Sequence, residues 1–205
     1  MKSERKIGAG LSYVSTVLNS LVSIFITPFI LVALGDVEYG IYRSISALTG
    51  QLALVSIGVG TMATVMVARY NARLDENAKK ESENFLAMAI IASVLISLLV
   101  LVIGGILYIG IDRLYANTLN EDQISLTKRL YVLLVLNVAL YLLRDVFTGI
   151  INGYEKFSYS GLLKVFRIVL RVIFILVFLS LGFKSIGLVI CDLIVSIMLI
   201  LFDVI

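Results

Sequence analysis

The sequence predicts an all-α, polytopic membrane protein with six transmembrane helices, on three observations. The first is composition: of 205 residues, 60% are hydrophobic and 15% charged, with a mean hydropathy of +1.05. Soluble chains run about 45–50% apolar and about 25% charged, and a soluble domain of this size still exposes about 30% of its chain surface. The second is length. Six apolar stretches, near 10–34, 42–67, 85–111, 130–151, 160–181 and 186–205, each supply the roughly 20 helical residues that cross about 30 Å of hydrocarbon. The third is uniformity: the runs lack the two-residue alternation that a transmembrane barrel requires.

Composition also excludes several chemistries. With no His and a single Cys, Cys191, the chain has no imidazole catalysis, no His-ligated metal site and no intrachain disulfide framework. No nucleophile–base pair and no phosphate-cradling glycine loop stands out, so the sequence points to no enzyme and no cofactor. A net charge of +3, spread over loops between apolar stretches, suits an anionic membrane surface rather than nucleic acid. The basic start MKSERK precedes an apolar run too long for a signal peptide, so the first span is expected to be retained.

Orientation follows from Lys and Arg in the short loops. An inside N-terminus places nine on the cytoplasmic side (Lys2, Arg5, Lys6, Arg69, Arg73, Lys79, Lys80, Lys156 and Lys164). It leaves five outside: Arg43, Arg113, Lys128, Arg129 and Lys184. Residues 112–129, of mixed charge, are expected to form a solvated outer loop.

In span one, Ser12, Thr16, Asn19, Ser23 and Thr27 fall on one stripe at 100° per residue. Such a stripe either packs on a neighbour with its hydroxyls bonded to their own backbone, or lines a lumen. Pro28 frees a carbonyl one turn earlier and is expected to kink this helix. Span three, from Phe85 to Ile111, is apolar almost all round and reads as a peripheral, lipid-facing helix. Span four carries Asn137, Tyr141, Arg144, Thr148 and Asn152 on one stripe with Asp145 at its margin, and Gly149-x-x-x-Gly153 allows close helix approach.

Span five sets Ser160, Lys164, Arg167 and Arg171 on one face, with Arg171 roughly 16 Å along the helix from Ser160. A charge at mid-bilayer costs about 2.5–3.5 kcal/mol on insertion scales, so it faces a bundle interior or an aqueous cavity unless it snorkels. Folding spans four and five as a hairpin about Lys156 brings Asp145 level with Arg167, which predicts an ion pair between them. In span six, Asp192 and Ser196 share a face, with Asp203 further along. The remaining cations leave a positive wall that suits an anionic, hydroxyl-rich ligand, because guanidinium groups grip phosphate oxygens in pairs.

Three segments carry a family resemblance. PFILVALGDVEYGIY (Pro28–Tyr42) resembles the end of helix one and the LG-x-x-x-YG loop of bacterial oligosaccharide flippases of the multidrug/oligosaccharidyl-lipid/polysaccharide exporter superfamily. IGVGTMATVMVARY (Ile57–Tyr70) is similar to that family's second helix, and GIINGYEKFSYS (Gly149–Ser160) to its turn between helices four and five. The resemblance implies the N-terminal six-helix lobe of a two-lobe transporter, a chain truncated before its C-terminal lobe, in a bacterial cytoplasmic membrane. It further implies a polyprenyl-diphosphate-linked oligosaccharide as cargo, moved outward for cell-surface polysaccharide synthesis by alternating access. On the stripe argument, Arg144, Arg167 and Arg171 are the expected diphosphate ligands and Asn19, Asn137 and the hydroxyl stripe the sugar ligands, with Lys164 and Tyr141 also expected to bind the substrate. The expected partners are membrane lipids and either a missing second lobe or a second copy of the chain. The competing readings are a drug or small-solute antiporter of the same superfamily, which would favour a carboxylate-lined cavity, and a non-transporting membrane scaffold.

Overall fold

The computed structural model describes residues 2–56, 58–73 and 76–204. Among these residues the chain forms seven α-helices: α1 Lys2–Leu34, α2 Asp36–Leu52, α3 Val59–Asn71, α4 Glu76–Tyr115, α5 Glu121–Gly153, α6 Phe157–Ser180 and α7 Lys184–Val204. Ile57, in the second family-like segment, and Ile205, at the end of the sixth expected span, lie outside the described residues. The all-helical architecture is as the sequence predicts. Four of the helices (α1, α4, α5 and α7) are long and apolar enough to cross a membrane.

The other two expected spans depart from that criterion for different physical reasons. Span two is broken: α2 ends at Leu52, a 3₁₀ turn covers Ala53–Ser56, and α3 restarts after Gly58. Gly58 adopts φ +99°, a left-handed conformation that costs an L side chain about 1–2 kcal/mol. Its carbonyl then accepts the Met62 N–H at 2.7 Å to open the new helix. The 24-residue α6 is long enough, yet Lys164, Arg167 and Arg171 crowd its apolar length with charge.

Residues 112–129 also differ from the expected loop. Helix α4 continues to Tyr115 and α5 already begins at Glu121. The Asn120 N–H donates to Gln123 Oε1 at 3.0 Å, half of a capping box, and Glu121 and Asp122 favour the positive end of the helix. Lys128 bridges the two helices through Asp112 at 2.6 Å.

Helix α5 is the axis of the bundle, packed on α2, α3, α4 and α7, while α6 packs on α1 and α7. The main core gathers Ile41 and Ile45 of α2, Val100 and Ile111 of α4, Leu130, Leu134 and Leu142 of α5, and Val189 of α7. Lipid tails are as apolar as these side chains, so close packing and interhelical hydrogen bonds must hold the helices together. They do so at the polar interruptions. Ser97 Oγ of α4 donates to the Ala139 carbonyl at 3.0 Å, and the Tyr131 hydroxyl to the Gly104 carbonyl at 3.1 Å. Thus span three is apolar almost all round in sequence, yet its helix turns Ser97 and Gly104 to α5 and exposes Ile91, Leu95, Leu98 and Val102.

The Gly149-x-x-x-Gly153 pair faces α3. A Cβ on Gly149 would meet the Gly60 carbonyl, one on Gly153 would meet Val67, and Thr64 Oγ1 donates to the Gly149 carbonyl at 3.0 Å. Gly149→Val therefore collides with backbone that cannot turn away. We expect it to cost about 1–3 kcal/mol and to lower the melting temperature of the detergent-solubilised protein.

Helix α1 runs through Pro28 as one α-helix and lies at the edge of the bundle, exposed along most of its apolar length. Its polar stripe splits the two expected readings. Thr16 and Ser23 donate to the Ser12 and Asn19 carbonyls at 2.9 and 2.8 Å, but Thr16, Asn19, Ser23 and Thr27 are exposed rather than packed. The LG-x-x-x-YG loop after α1 has a structural role. Glu38 accepts the Ser185 N–H at 3.0 Å and lies 3.7 Å from Lys184, so it caps the N-terminus of α7.

Candidate binding site within the bundle

The expected ion pair between Asp145 and Arg167 is absent among the described residues. The hairpin assumption behind it fails because α5 and α6, though joined by a short turn, share little contact, and α7 packs on both. Asp145 instead lies against Gly60 of α3. The carboxylates that meet the arginines come from α7. Arg171 Nε stands 2.7 Å from Asp192 Oδ1, and its Nη2 donates to Oδ2 at 3.0 Å. Arg144 Nε donates to Asp203 Oδ2 at 3.0 Å, with the Arg144 side chain 10% and the Asp203 side chain 1% exposed.

The pairing has a sequence signal. Asp192, Ser196 and Asp203 recur at i, i+4 and i+11, one face of α7. Counting outward from Gly182, the left-handed glycine in the turn between α6 and α7, places Arg171 eleven residues before it and Asp192 ten after. The level-matching that misled at Lys156 succeeds here because α6 and α7 do pack together.

Arg167 sits one turn before Arg171, half-buried, within electrostatic reach of Arg144, Arg171, Asp192 and the Tyr141 hydroxyl. No ion pair holds it among the described residues. Tyr42 of α2, unmarked by the sequence reasoning as a site residue, lies in electrostatic reach of Arg171 and Asp192. Asn137 accepts a hydrogen bond from Ser196 at 3.1 Å, so its amide is engaged across α5 and α7. Tyr141 remains exposed beside the cluster.

The expected site residues therefore divide into groups. Arg144, Arg167, Arg171 and Tyr141 converge where α5 and α6 face α7. Lys164 lies one turn before Arg167 on the same α6 face but lines a separate cavity with α1. Asn19 stands on the exposed stripe of α1. Asp203 also lines a cavity of about 1110 Å³ at the bundle end, with Glu4, Asn71, Lys156 and Tyr159. The Arg144–Asp203 pair thus lies where the bundle interior meets that cavity. Asp203 and Asp192 thus offset Arg144 and Arg171, while Arg167 and Lys164 have no ion pair among the described residues, so the expected positive wall is neutralised in part.

No family model matches the chain, and no curated protein matches it. Two solved structures share its fold. One is a MOP superfamily transporter from Pyrococcus furiosus Vc1 (DSM3638), whose reverse polarity of the binding pocket suggests a different function. It is 19% identical with a TM-score of 0.66, and the match covers 96% of this chain and 41% of that one. The other is a MATE protein in complex with MaD3S, 20% identical with a TM-score of 0.67, covering 96% of this chain and 42% of its partner in the comparison. The chain therefore has the fold of part of a MATE/MOP superfamily transporter and spans about two-fifths of the length of these solved relatives.

Proposed function

We propose that this chain is the N-terminal lobe of a transporter that moves a polyprenyl-diphosphate-linked oligosaccharide across a bacterial cytoplasmic membrane, N-terminus inside. The observation that carries the reading is Arg167: a guanidinium inside the bundle, flanked by Arg144 and Arg171, whose own charges Asp203 and Asp192 already meet. An intramembrane cation of this kind is costly and functional by default, and a diphosphate is its natural counter-charge. On this reading the exposed hydroxyl stripe of α1, with Asn19, is open to meet a second lobe, supplied by a longer chain or a second copy. Sugars of the cargo would meet that stripe and Tyr141.

The ion pairs favour a second reading. Because Asp192 and Asp203 offset two of the arginines, the cluster also fits a small-solute antiporter of the same superfamily that exchanges carboxylate partners as it cycles. Complementation separates the two. Full-length protein containing this chain, expressed in a strain lacking its own lipid-linked-oligosaccharide flippase, restores surface polysaccharide if the first reading holds. Drug resistance without restored polysaccharide would replace it with the second.

A further inference from the structure

Helices α1 and α6 cross at van der Waals distance: a Cβ on Gly8 would strike Phe157, and one on Gly161 would come within 2.7 Å of Leu11. Beside this crossing lies a cavity of about 420 Å³ bounded by α1, α3, α5 and α6, within the roughly 300–1,000 Å³ of small-molecule sites. Arg5, Ser12, Thr64, Asn152, Ser160 and Lys164 supply its polar lining. It is distinct from the arginine cluster facing α7.

Three independent features make this cavity selective for an anion. Ser160 is 4% exposed, lines the cavity, and its Oγ has no hydrogen-bond partner. A buried hydroxyl left without a partner costs about 1–3 kcal/mol, which a ligand oxygen would recover. The N-terminus of the 24-residue α6 opens here, with Phe157 in the wall and no side chain capping the helix. Its free N–H groups and partial positive charge attract an anion. Finally, Lys164 is exposed and, among the described residues, has no ion pair, whereas Arg5 at the rim is held by Glu155. The cavity thus offers one uncommitted cation, one uncommitted buried hydroxyl and one helix N-terminus.

We propose that this cavity binds a phosphate group, as the headgroup of an anionic lipid or as free phosphate, through Lys164, Ser160 and the first turn of α6. The inference concerns binding at this cavity alone and stands or falls apart from the cargo assigned to Arg167.

The test uses full-length protein purified in detergent and in lipid nanodiscs, as wild type, Lys164→Gln, Ser160→Ala and Lys184→Gln. Lys184, beside Glu38 at the start of α7, serves as control. In detergent, calorimetry with inorganic phosphate and pyrophosphate reads the free anion. In nanodiscs of phosphatidylglycerol and phosphatidylcholine, native mass spectrometry reads the retained anionic lipid. A charge-assisted hydrogen bond contributes enough that Lys164→Gln should weaken binding about 10-fold or more. Ser160→Ala should weaken it several-fold, while Lys184→Gln should match wild type, with melting temperatures unchanged for the two lysine variants and unchanged or raised for Ser160→Ala, which removes an unpartnered buried hydroxyl. Loss of calorimetric phosphate binding identifies free phosphate. Loss of retained phosphatidylglycerol that added phosphate does not displace identifies the lipid headgroup. Neither ligand binding to wild type, or binding equal in wild type and both cavity variants, would overturn the proposal. Lys164→Arg keeps the charge and should retain binding, which guards against a merely structural loss.

Discussion

Arg144→Met is expected to destabilise the bundle by about 3–5 kcal/mol, because it leaves the Asp203 carboxylate, whose side chain is 1% exposed, without its cation. Asp203→Leu should cost a similar amount by stranding the guanidinium. The double replacement Arg144→Met/Asp203→Leu removes both charges together and should recover most of the loss, since the desolvation of a buried ion pair consumes much of its attraction. Thermal melting of the four proteins in one detergent checks this as a double-mutant cycle. Additive losses in the double variant would mean that the two residues do not act as a pair. The result also bears on function: an Arg144 variant that fails to transport reports a broken helix interface between α5 and α7 before it reports a lost ligand.

Much of this architecture was legible in the sequence. The apolar runs gave α1, α4, α5 and α7, because a bilayer leaves a helix as the main open structure that satisfies its own backbone. The polar faces of spans four, five and six were also legible, since residues at i, i+4 and i+7 share a face whatever lies opposite. What lies opposite was not legible. Sequence adjacency favoured pairing Asp145 with Arg167 across the Lys156 turn, but contact between α7 and both α5 and α6 decides the partners, and contact is a tertiary property. The break in span two was hidden for a related reason. Gly58 is one glycine among several in an apolar run, and nothing in that run marks it as the one that turns left-handed. The charges of segment 112–129 look like loop, although Asn120 and Gln123 carry a capping signature. For Lys164 the one-face pattern was correct but incomplete. It placed the residue on the arginine face of α6 without showing that, one turn toward the helix start, that face meets α1 instead of α7.

Arg167 carries the account of transport. Its removal strands no carboxylate among the described residues and relieves the mutual repulsion with Arg144 and Arg171, so Arg167→Gln should leave the melting temperature unchanged or slightly raised. A guanidinium contributes about 1.5–3 kcal/mol to a charged hydrogen-bonded ligand, equivalent to about 10–100-fold in affinity. Arg167→Lys should fall between, since an ammonium keeps the charge but loses the planar fork that matches phosphate. The direct test reconstitutes full-length wild type, Arg167→Lys and Arg167→Gln into liposomes and follows transfer of a polyprenyl-diphosphate-linked sugar between leaflets. The account predicts transfer by wild type, an intermediate rate for Arg167→Lys, and a loss of about 10-fold or more for Arg167→Gln with the fold intact. Transfer by a well-folded Arg167→Gln at the wild-type rate would contradict it.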